Sequence, residues 1–456
     1  MLTLSRQSRP ALLHLGCRPV PSRALKMSSG YSHRPGCRLR TGFVIGVSLV
    51  AGAGIVLSGT TRMSCRPLVP GRAVSYLSVL RQEPPGSSVA TGAGGAISSP
   101  RKPVGYAAHV LAQPDPGRYV RLIEDGAATS LRDDVSWASV EAARGKFDWS
   151  GADKIVTQAA AHHLHVLMIV DTSPAWASGA STSASDWFWL PPRAPATYGT
   201  FAAAAAARYG AGGRFWHEHP RLPRYLPSGI ELWNEENLSG FWGGRTPNPA
   251  AYAAMVKSAY ARIKKTDPAM TVMTGGLAPA GAYNDVTCSG LNGSTGHDST
   301  AWNGIDYLQA LYAHGLHGHF DAVAWHPYIY WNGASAAQML AYHRCSAWTQ
   351  MASTPVSARS LMTSHGDGRK QLWITETGAP TCVTGATFPC VSPAQQASLA
   401  TRETRLWKRW RWAGGFYWYD IRDDNLGAAS GESHFGAVLH NDSPKPAYAA
   451  LRRAWR

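Results

Sequence analysis

From residue 104 onward, short apolar runs alternate with longer segments of helical periodicity, and this alternation is what most constrains the fold. Such an order predicts a parallel sheet whose strands are joined by crossover helices. Helical periodicity is found at Ser150–His163, Thr197–Tyr209, Pro249–Thr266, Ile305–His314, Pro393–Arg411 and Pro446–Arg456. Eight runs have the character of strands: Ala107–Val110, Ser130–Arg132, His165–Val170, Gly229–Trp233, Thr271–Thr274, Ala322–Trp325, Leu372–Thr375 and Gly415–Tyr419.

Eight strands spread over residues 104–456 predict an α/β fold, a single (β/α)8 TIM barrel with long loops. A doubly wound sheet is the alternative. It is disfavoured because no glycine-rich phosphate-binding loop follows the first strand-like run.

The strongly basic balance of the chain is confined to its N-terminal part. Residues 1–103 contain 14 Lys and Arg residues and a single acidic residue, Glu83, whereas the remainder has 30 basic and 27 acidic residues. The predicted barrel is therefore nearly neutral, and nothing in its charge favours a nucleic acid as partner.

The first 64 residues are expected to form a basic leader. Arg34, Arg38 and Arg40 precede an uncharged apolar stretch at residues 42–59, which is typical of a secretory signal or a signal anchor. Cleavage after this stretch stays open, and either Met1 or Met27 is a possible start. Residues 65–103 are rich in Pro, Gly, Ser and Ala and predict a flexible linker. The barrel is accordingly expected outside the cell, secreted or tethered to the membrane by the N-terminal segment.

Four cysteines lie beyond the predicted linker. An even number in an exported chain predicts two disulfides, Cys382 with Cys390 and Cys288 with Cys345, and free buried thiols are the alternative.

Polar residues occur at or just past the ends of several predicted strands, where a barrel builds its active site. Two of them are glutamates, Glu235 after the fourth run and Glu376 after the seventh. The others are Arg132, Asn234, His326, Tyr328 and Trp418. In a barrel, all of these side chains are expected to meet at one mouth.

Two carboxylates that face each other across a cleft are the working groups of a glycosidase. Glu235 is the predicted acid/base, because a carboxyl beside Trp233 would have a raised pKa and keep its proton near neutral pH. Glu376 is the predicted nucleophile. Side chains alternate along a strand, so Glu236 cannot share the inward position of Glu235 and is expected at the rim or in a salt bridge. Asn234 would hold a sugar hydroxyl.

The chain resembles the clan A glycoside hydrolases, above all the family thirty-nine type and its exopolysaccharide-cleaving relatives. Trp233-Asn234-Glu235 and Thr375-Glu376 match the acid/base and nucleophile strands of that clan. Further matching segments are Arg132 to Trp137, Phe147 to Ser150, Ser173 to Ala177, Trp325 to Tyr328, Phe416 to Asp420, His434 to Gly436 and Lys445 to Tyr448. Two positions depart from the clan: Glu236 replaces a proline, and Asp171-Thr172 stands where some relatives carry a histidine.

The resemblance implies a retaining double displacement with the two carboxyl groups about 5–5.5 Å apart. It also implies supporting roles. Tyr328 would donate a hydrogen bond to Glu376, Arg132 would lower the pKa of Glu376, and Trp418 would form the floor under the sugar. His326 would line the site or be structural.

Aromatic residues in the predicted loops favour stacking on sugar faces along a cleft, and hence endo action, with packing between loops as the alternative. They are Trp187, Phe188, Trp189, Phe241, Trp242, Trp302, Tyr330 and Trp331. The expected partner is a poly- or oligosaccharide acted on by a monomer, with no metal and no cofactor. The alternatives are a transglycosylase that remodels surface glycans and an inactive glycan-binding barrel.

Overall fold

The computed structural model describes residues 95–279, 297–330, 333–424 and 430–456. Eight strands form a closed barrel in chain order: β1 Val104–Ala107, β2 Ser130–Ser136, β3 His165–Asp171, β4 Gly229–Leu232, β5 Val272–Thr274, β6 Ala322–Trp325, β7 Gln371–Thr377 and β8 Ala413–Trp418. Each strand pairs in parallel with the next, and β1 closes the sheet on β8. The predicted (β/α)8 barrel is confirmed, and closure rules out a doubly wound sheet.

Helices surround the barrel. The α-helices are α1 Pro116–Asp125, α2 Trp137–Val140, α3 Ser150–Ala161, α4 Ala175–Ser178, α5 Pro195–Tyr209, α6 Arg214–Glu218, α7 Pro249–Thr266, α8 Gly304–Ala313, α9 Ala336–Met339, α10 Ala347–Gln350, α11 Ala358–Ser364, α12 Pro393–Arg409 and α13 Pro446–Trp455. Short 3-10 helices lie at Val110–Ala112, Trp187–Trp189, Ser239–Trp242 and Gly431–His434.

The long helices begin at sequence signals that fix their first turns. At α12, the Ser392 hydroxyl accepts from the backbone N–H of Gln395, whose side chain accepts from Ser392 in return. Such a capping box satisfies donors that the helix itself cannot. At α7, Asn248 caps the helix and Pro249 occupies its first turn, where a proline costs no hydrogen bond.

The two faces of the barrel strands pack into separate cores. Outward side chains join the helices in one large apolar layer, whereas Leu167, Met273, Ala322, Ala324, Trp373 and Tyr417 fill the barrel interior. Trp373 is the bulkiest of these, and β8 makes room for it with Gly414 and Gly415. A Cβ on Gly414 would lie 2.0 Å from the indole nitrogen Nε1 of Trp373. The absence of side chains at these two glycines therefore leaves the space that the indole of Trp373 fills on the neighbouring strand.

The first strand lies earlier than the sequence predicts. We expected Ala107–Val110, but β1 ends at Ala107 and the chain turns into a 3-10 helix at Val110. The cause is a hydrogen bond, in which the backbone N–H of Val110 donates to Asp133 Oδ2 at 3.0 Å and draws the chain off the sheet. Just before β1, Ile97 forms a parallel bridge with Tyr225, so this end of the predicted linker lies against the barrel.

The predicted disulfide between Cys382 and Cys390 is present, and Cys345 is also disulfide-bonded. Cys288 lies outside the described residues, as do residues 42–59, where the signal or anchor is predicted. Within the described ranges, no helix has both the length and the apolar character needed to span a membrane.

Truncation of Trp373 should destabilise the barrel strongly. The side chain is 3% exposed, so Trp373→Ala would leave a cavity and cost about 3–5 kcal/mol of unfolding free energy. Tyr342→Ala is the control, because Tyr342 is 61% exposed and its loss should change stability by less than about 0.5 kcal/mol. Urea titration of both variants tests this, and equal losses would contradict the packing described.

Candidate active site

One hydrogen-bonded cluster occupies the mouth of the barrel, where the carboxyl ends of the strands meet. It joins six of the seven residues predicted for the site: Arg132, Asn234, Glu235, His326, Tyr328 and Glu376. These residues come from β2, from the segments that follow β4 and β6, and from β7.

Glu376 is held by donors on both carboxylate oxygens. Arg132 Nη1 donates to its Oε1 at 2.5 Å, and the Tyr328 hydroxyl donates to its Oε2 at 2.6 Å. Nδ1 of His326 lies 3.5 Å from the same Oε2. Burial alone would raise the pKa of Glu376, but the charges of His326 and Arg132 and the hydrogen bond from Tyr328 lower it below its ordinary value. Glu376 is therefore an ionised carboxylate at neutral pH.

A break in the strand alternation turns Glu376 towards the cleft. Thr375 points into the barrel and donates to Glu231, while Thr377 points outward and donates to Glu403 on α12. The register of β7 against β8 shifts between Ile374 and Thr377. Such an irregularity re-aims one side chain at the rim of a barrel.

Glu235 lies opposite, on a backbone that few residues adopt. Its φ is +44°, and its N–H donates to Gly276 O at 3.2 Å. Residues held in this region of φ cluster at functional sites. Its Oε1 lies 2.9 Å from Nδ1 of His326. Burial raises the pKa of Glu235 and outweighs the hydrogen bond with His326 that lowers it.

The ring of Trp233, which the sequence predicts beside Glu235, does not pack against Glu235 in the mouth of the barrel. With φ at +79°, it packs outward against Trp189, Tyr198 and Trp242. The pKa of Glu235 is thus raised in the predicted direction. The predicted cause differs, because the described ring contacts of Trp233 lie in the outer layer and not beside Glu235.

Glu231 is a functional residue that sequence reasoning missed. It is fully buried in β4 and binds Arg132 through both oxygens, at 2.7 Å from Nε and 3.0 Å from Nη2. Arg132 Nη2 also donates to Asn234 Oδ1 at 2.9 Å. The guanidinium is thereby fixed in the orientation that serves Glu376. The sequence did contain a signal for this residue, because Glu231 is a charged side chain in the middle of an apolar strand.

Gly276 is a second residue that was missed. A Cβ at this position would lie 1.9 Å from Nε2 of His326, so only glycine lets the imidazole pack here. His326 is itself completely buried between the two glutamates. The structure thus favours a place in the site for His326 over a remote structural role.

Trp418 is the predicted site residue that the structure does not bring to the cluster. It belongs to the outer apolar layer, because its neighbour Tyr417 fills the barrel interior and side chains alternate along β8. The next residue, Tyr419, lies at the mouth instead. Its ring centroid is 6.1 Å from that of Tyr328, and the charge of Glu376 helps to raise its pKa after burial and two other carboxylates.

Glu236 is not at the rim and forms no salt bridge among the described residues. It is fully buried, and neither of its carboxylate oxygens has a hydrogen-bond partner within the described chain. Burial raises its pKa well above the ordinary value. In its ionised form Glu236 would raise the pKa of Tyr198, Tyr252 and Tyr307, which shows that it lies near these three side chains. These tyrosines lie on α5, α7 and α8, so Glu236 is buried in the outer layer as a neutral acid.

Glu235, His326 and Glu376 also offer one ligand atom each within 4.8 Å of one another, a spacing that would suit a cation. Both oxygens of Glu376 are already taken by Arg132 and Tyr328, and a metal would face the guanidinium at close range. The cluster is therefore better matched to proton transfer and attack by a carboxylate.

No protein-family model matches the sequence, and no curated protein is similar to it. Solved structures are similar in fold. A family 39 glycoside hydrolase from the gut symbiont Bacteroides cellulosilyticus WH2 is 21% identical to this chain, with a TM-score of 0.54. The match covers 78% of this chain and 64% of that enzyme. A monomeric β-xylosidase from Caulobacter crescentus CB15 is 16% identical, with a TM-score of 0.51, and the match covers 79% and 68%. The expected likeness to family 39 and clan A is thus confirmed at the level of the fold, and the chain spans under two thirds of the first enzyme.

Replacing the buried acid Glu236 should stabilise the protein increasingly as the pH rises. The raised pKa means that the folded state holds a proton which the unfolded chain releases above about pH 4.3, so wild-type stability falls with rising pH. Glu236→Gln lacks this penalty. The unfolding free energy of the variant relative to wild type should increase by about 1–3 kcal/mol between pH 4 and pH 8 in urea titrations. A difference that stays constant with pH would contradict a neutral buried Glu236.

Proposed function

We propose that the protein is a retaining glycoside hydrolase that cleaves β-glycosidic bonds in a poly- or oligosaccharide. The observation that carries this proposal is the pair Glu235 and Glu376, in which carboxylate oxygens lie within 4.8 Å of each other. Their surroundings move the pKa of Glu235 up and that of Glu376 down. Two nearby carboxyls in opposite protonation states are what an acid and a nucleophile require.

In the first step, protonated Glu235 would give its proton to the oxygen of the leaving sugar. Ionised Glu376 would attack the anomeric carbon, so that the glycosidic C–O bond breaks while an ester to Glu376 forms. Arg132 and Tyr328 hold Glu376 in place and ionised. Glu376 therefore does not have to lose a proton before it attacks, and the rate of attack depends on how well it is positioned.

In the second step, Glu235 is a carboxylate and would take a proton from the incoming water. The resulting hydroxide would displace Glu376 from the anomeric carbon, releasing a sugar of unchanged configuration. An inverting enzyme needs room for that water in the first step, with carboxyls about 6.5–9.5 Å apart. The shorter approach of Glu235 to Glu376 supports retention.

Asn234 and Tyr419 are the residues proposed to contact the sugar at the cleavage point. Asn234 is partly exposed beside Glu235 and is fixed by Arg132. Tyr419 offers a ring next to Tyr328 and Phe435, in the role that the sequence resemblance predicts for Trp418.

Endo action along a glycan chain is proposed from the aromatic residues of the loops. Trp187, Phe188 and Phe241 remain partly exposed and could stack on sugars, whereas Trp242 and Tyr330 are buried by packing. Trp331 lies outside the described residues. A transglycosylase would use the same carboxyls, and an inactive binding barrel is disfavoured because it has no use for a pair with split pKa values.

The predicted leader and the Cys382–Cys390 disulfide support action outside the cytoplasm, where such bonds persist. This location is part of the proposal.

Trapping of the covalent intermediate tests the roles of the two glutamates. An activated 2-deoxy-2-fluoro β-glycoside panel should label the wild type, with the added mass on the peptide that contains Glu376. Glu376→Ala should lose more than about a thousandfold in kcat. Added azide should rescue Glu376→Ala to give an α-glycosyl azide and Glu235→Ala to give the β-anomer.

Glu236→Gln is the matched control, because the residue adjoins Glu235 but is buried away from the cleft, and its activity should be retained. Full activity in Glu376→Ala, or a label on another residue, would overturn the proposed mechanism.

Loss of the Tyr328 hydroxyl should shift the acid limb of the pH profile. The hydrogen bond to Glu376 helps to lower the pKa of Glu376, so Tyr328→Phe should raise the lower apparent pKa of kcat/KM. The phenyl ring keeps the contacts with Tyr419 and Phe435. An unchanged acid limb would show that the Tyr328 hydroxyl does not tune the nucleophile.

A further inference from the structure

The mouth of the barrel contains carboxyl groups that the proposed reaction does not use. Asp134 lies in β2 and Asp171 ends the adjacent β3. Asp420 follows β8, and Glu432 belongs to the 3-10 helix Gly431–His434. They surround the catalytic pair with acidic groups.

Asp134 and Asp171 form a pair on the inner face of the barrel. Asp134 follows Arg132 by two positions and therefore points to the same side of β2. Asp171 lies opposite Ser136 in the register of β2 and β3, and the carboxyls of Asp134 and Asp171 are close enough for each to shift the pKa of the other. Asp134 is partly exposed to the cleft, whereas Asp171 behind it is 2% exposed.

One carboxylate oxygen of Asp171 is also left without a donor among the described residues. Its Oδ1 is buried, and within the described chain no hydrogen-bond donor reaches it. Two neighbouring carboxyls do not both ionise unless a cation lies between them, and without one they share a proton. Burial first, and then the charge of Asp134, raise the pKa of Asp171 well above its ordinary value.

The cationic side chains nearby are already engaged. Arg132 is bound to Glu231, Glu376 and Asn234, and His326 lies between the two catalytic glutamates. His109 faces Asp420, with Nε2 at 3.9 Å from Oδ2. The charges of His109 and Arg132 lower the pKa of Asp134, and that of Arg132 lowers the pKa of Asp171, but in neither acid do they outweigh burial. No cationic side chain of the described residues is dedicated to this pair.

The opposite wall of the mouth is acidic as well. Burial, followed by the charges of Glu235 and Glu376, raises the pKa of Glu432 to about 7. Burial also raises the pKa of Asp420 to about 7. Both acids thus lie beside other carboxyl groups, and a cleft lined with acidic groups attracts cations.

We propose that the substrate is a glycan with free amino groups, and that Asp134, backed by Asp171, binds the ammonium group of an amino sugar near the point of cleavage. This inference rests on the proposed function. With one proton shared, the pair carries a single negative charge that an ammonium group neutralises.

An ammonium group fits this pair better than a metal ion. It brings three donors and one charge on a sugar that the cleft already accommodates. A calcium ion needs about six to eight oxygen ligands, and here only two carboxyls are in contact. In the described parts of the chain, the one group of three metal-type ligands is Glu235, His326 and Glu376.

The experiment compares one glycan in two charge states. Oligomers of β-linked glucosamine and of β-linked galactosamine are assayed as free amines and again after chemical N-acetylation, which removes the charge but keeps the linkages. Wild type should cleave a free-amine oligomer with kcat/KM at least about tenfold above its N-acetylated form. Asp134→Asn should abolish that preference and raise KM for the amine form, with KM for the N-acetylated form little changed.

Asp171→Asn is the second variant, and it should reduce the preference in the same direction. Asp125→Asn, an exposed acid at the end of α1, is the control and should keep the preference intact. Binding of both oligomer forms to Glu376→Gln, measured by calorimetry at low and high salt, gives a readout that does not need turnover. The free-amine form should bind more tightly, with an advantage that shrinks at high salt.

The outcomes separate this inference from the proposed function. Labelling of Glu376 with equal or better use of N-acetylated or neutral glycans would overturn the amino-sugar specificity and leave the hydrolase proposal standing. Salt-sensitive binding of the free amines without any Glu376 adduct or cleavage would support the ligand class and overturn the hydrolase. A preference that survives in both Asp134→Asn and Asp171→Asn would also overturn the assignment to this pair.

Discussion

The ion-paired network around Arg132 is the interaction on which the site depends. A guanidinium that is 3% exposed is tolerable only if its charge is fully matched, and Glu231 and Glu376 provide that match from β4 and β7. Because Glu231 takes Nε and Nη2, and Asn234 takes the second N–H of Nη2, the Nη1 group remains for Glu376. Removing Glu231 would leave a buried cation with a single anionic partner, so its effect on the nucleophile would be electrostatic although it lies outside the cleft.

The same network explains how two similar carboxyls acquire opposite properties within a few ångströms. Both are buried, and burial raises the pKa of each. Glu376 receives two direct donors as well as nearby positive charge, whereas Glu235 has only His326 as a direct side-chain partner among the described residues. The pKa values of the two glutamates differ because Arg132 on β2 donates to Glu376 and not to Glu235. His326, wedged between them with Gly276 behind it, couples the two groups and keeps both in place.

The sequence predicts the barrel and most of the site because both depend on local alternation. Seven strands overlap their predicted ranges closely, and six site residues meet as strand ends require. The failures have physical causes. Trp418 and Tyr419 differ by one position, and one position moves a side chain from the helices to the cleft. The role of Glu231 depends on Arg132, a partner 99 residues away in the sequence. The need for glycine at position 276 becomes clear only when the imidazole of His326 is seen to leave no room for a Cβ. Glu236 has the sequence context of a surface charge, and only the structure places it near Tyr198, Tyr252 and Tyr307.

The substitution of Glu236 for the clan's proline raises the question of what fixes the loop after Glu235. Proline would restrict the backbone directly. Here Asn237 does so through its side chain, which donates to Ala278 O at 3.0 Å and to Trp302 O at 2.9 Å and accepts from Ala278 N at 2.9 Å. These bonds join the β4 loop to the β5 loop, while Glu235 N–H joins it to Gly276. A loop fastened at both residues can hold the unusual φ of Glu235 without a proline. The position next in the chain is then free to carry a buried acid, because its side chain no longer determines where Glu235 points.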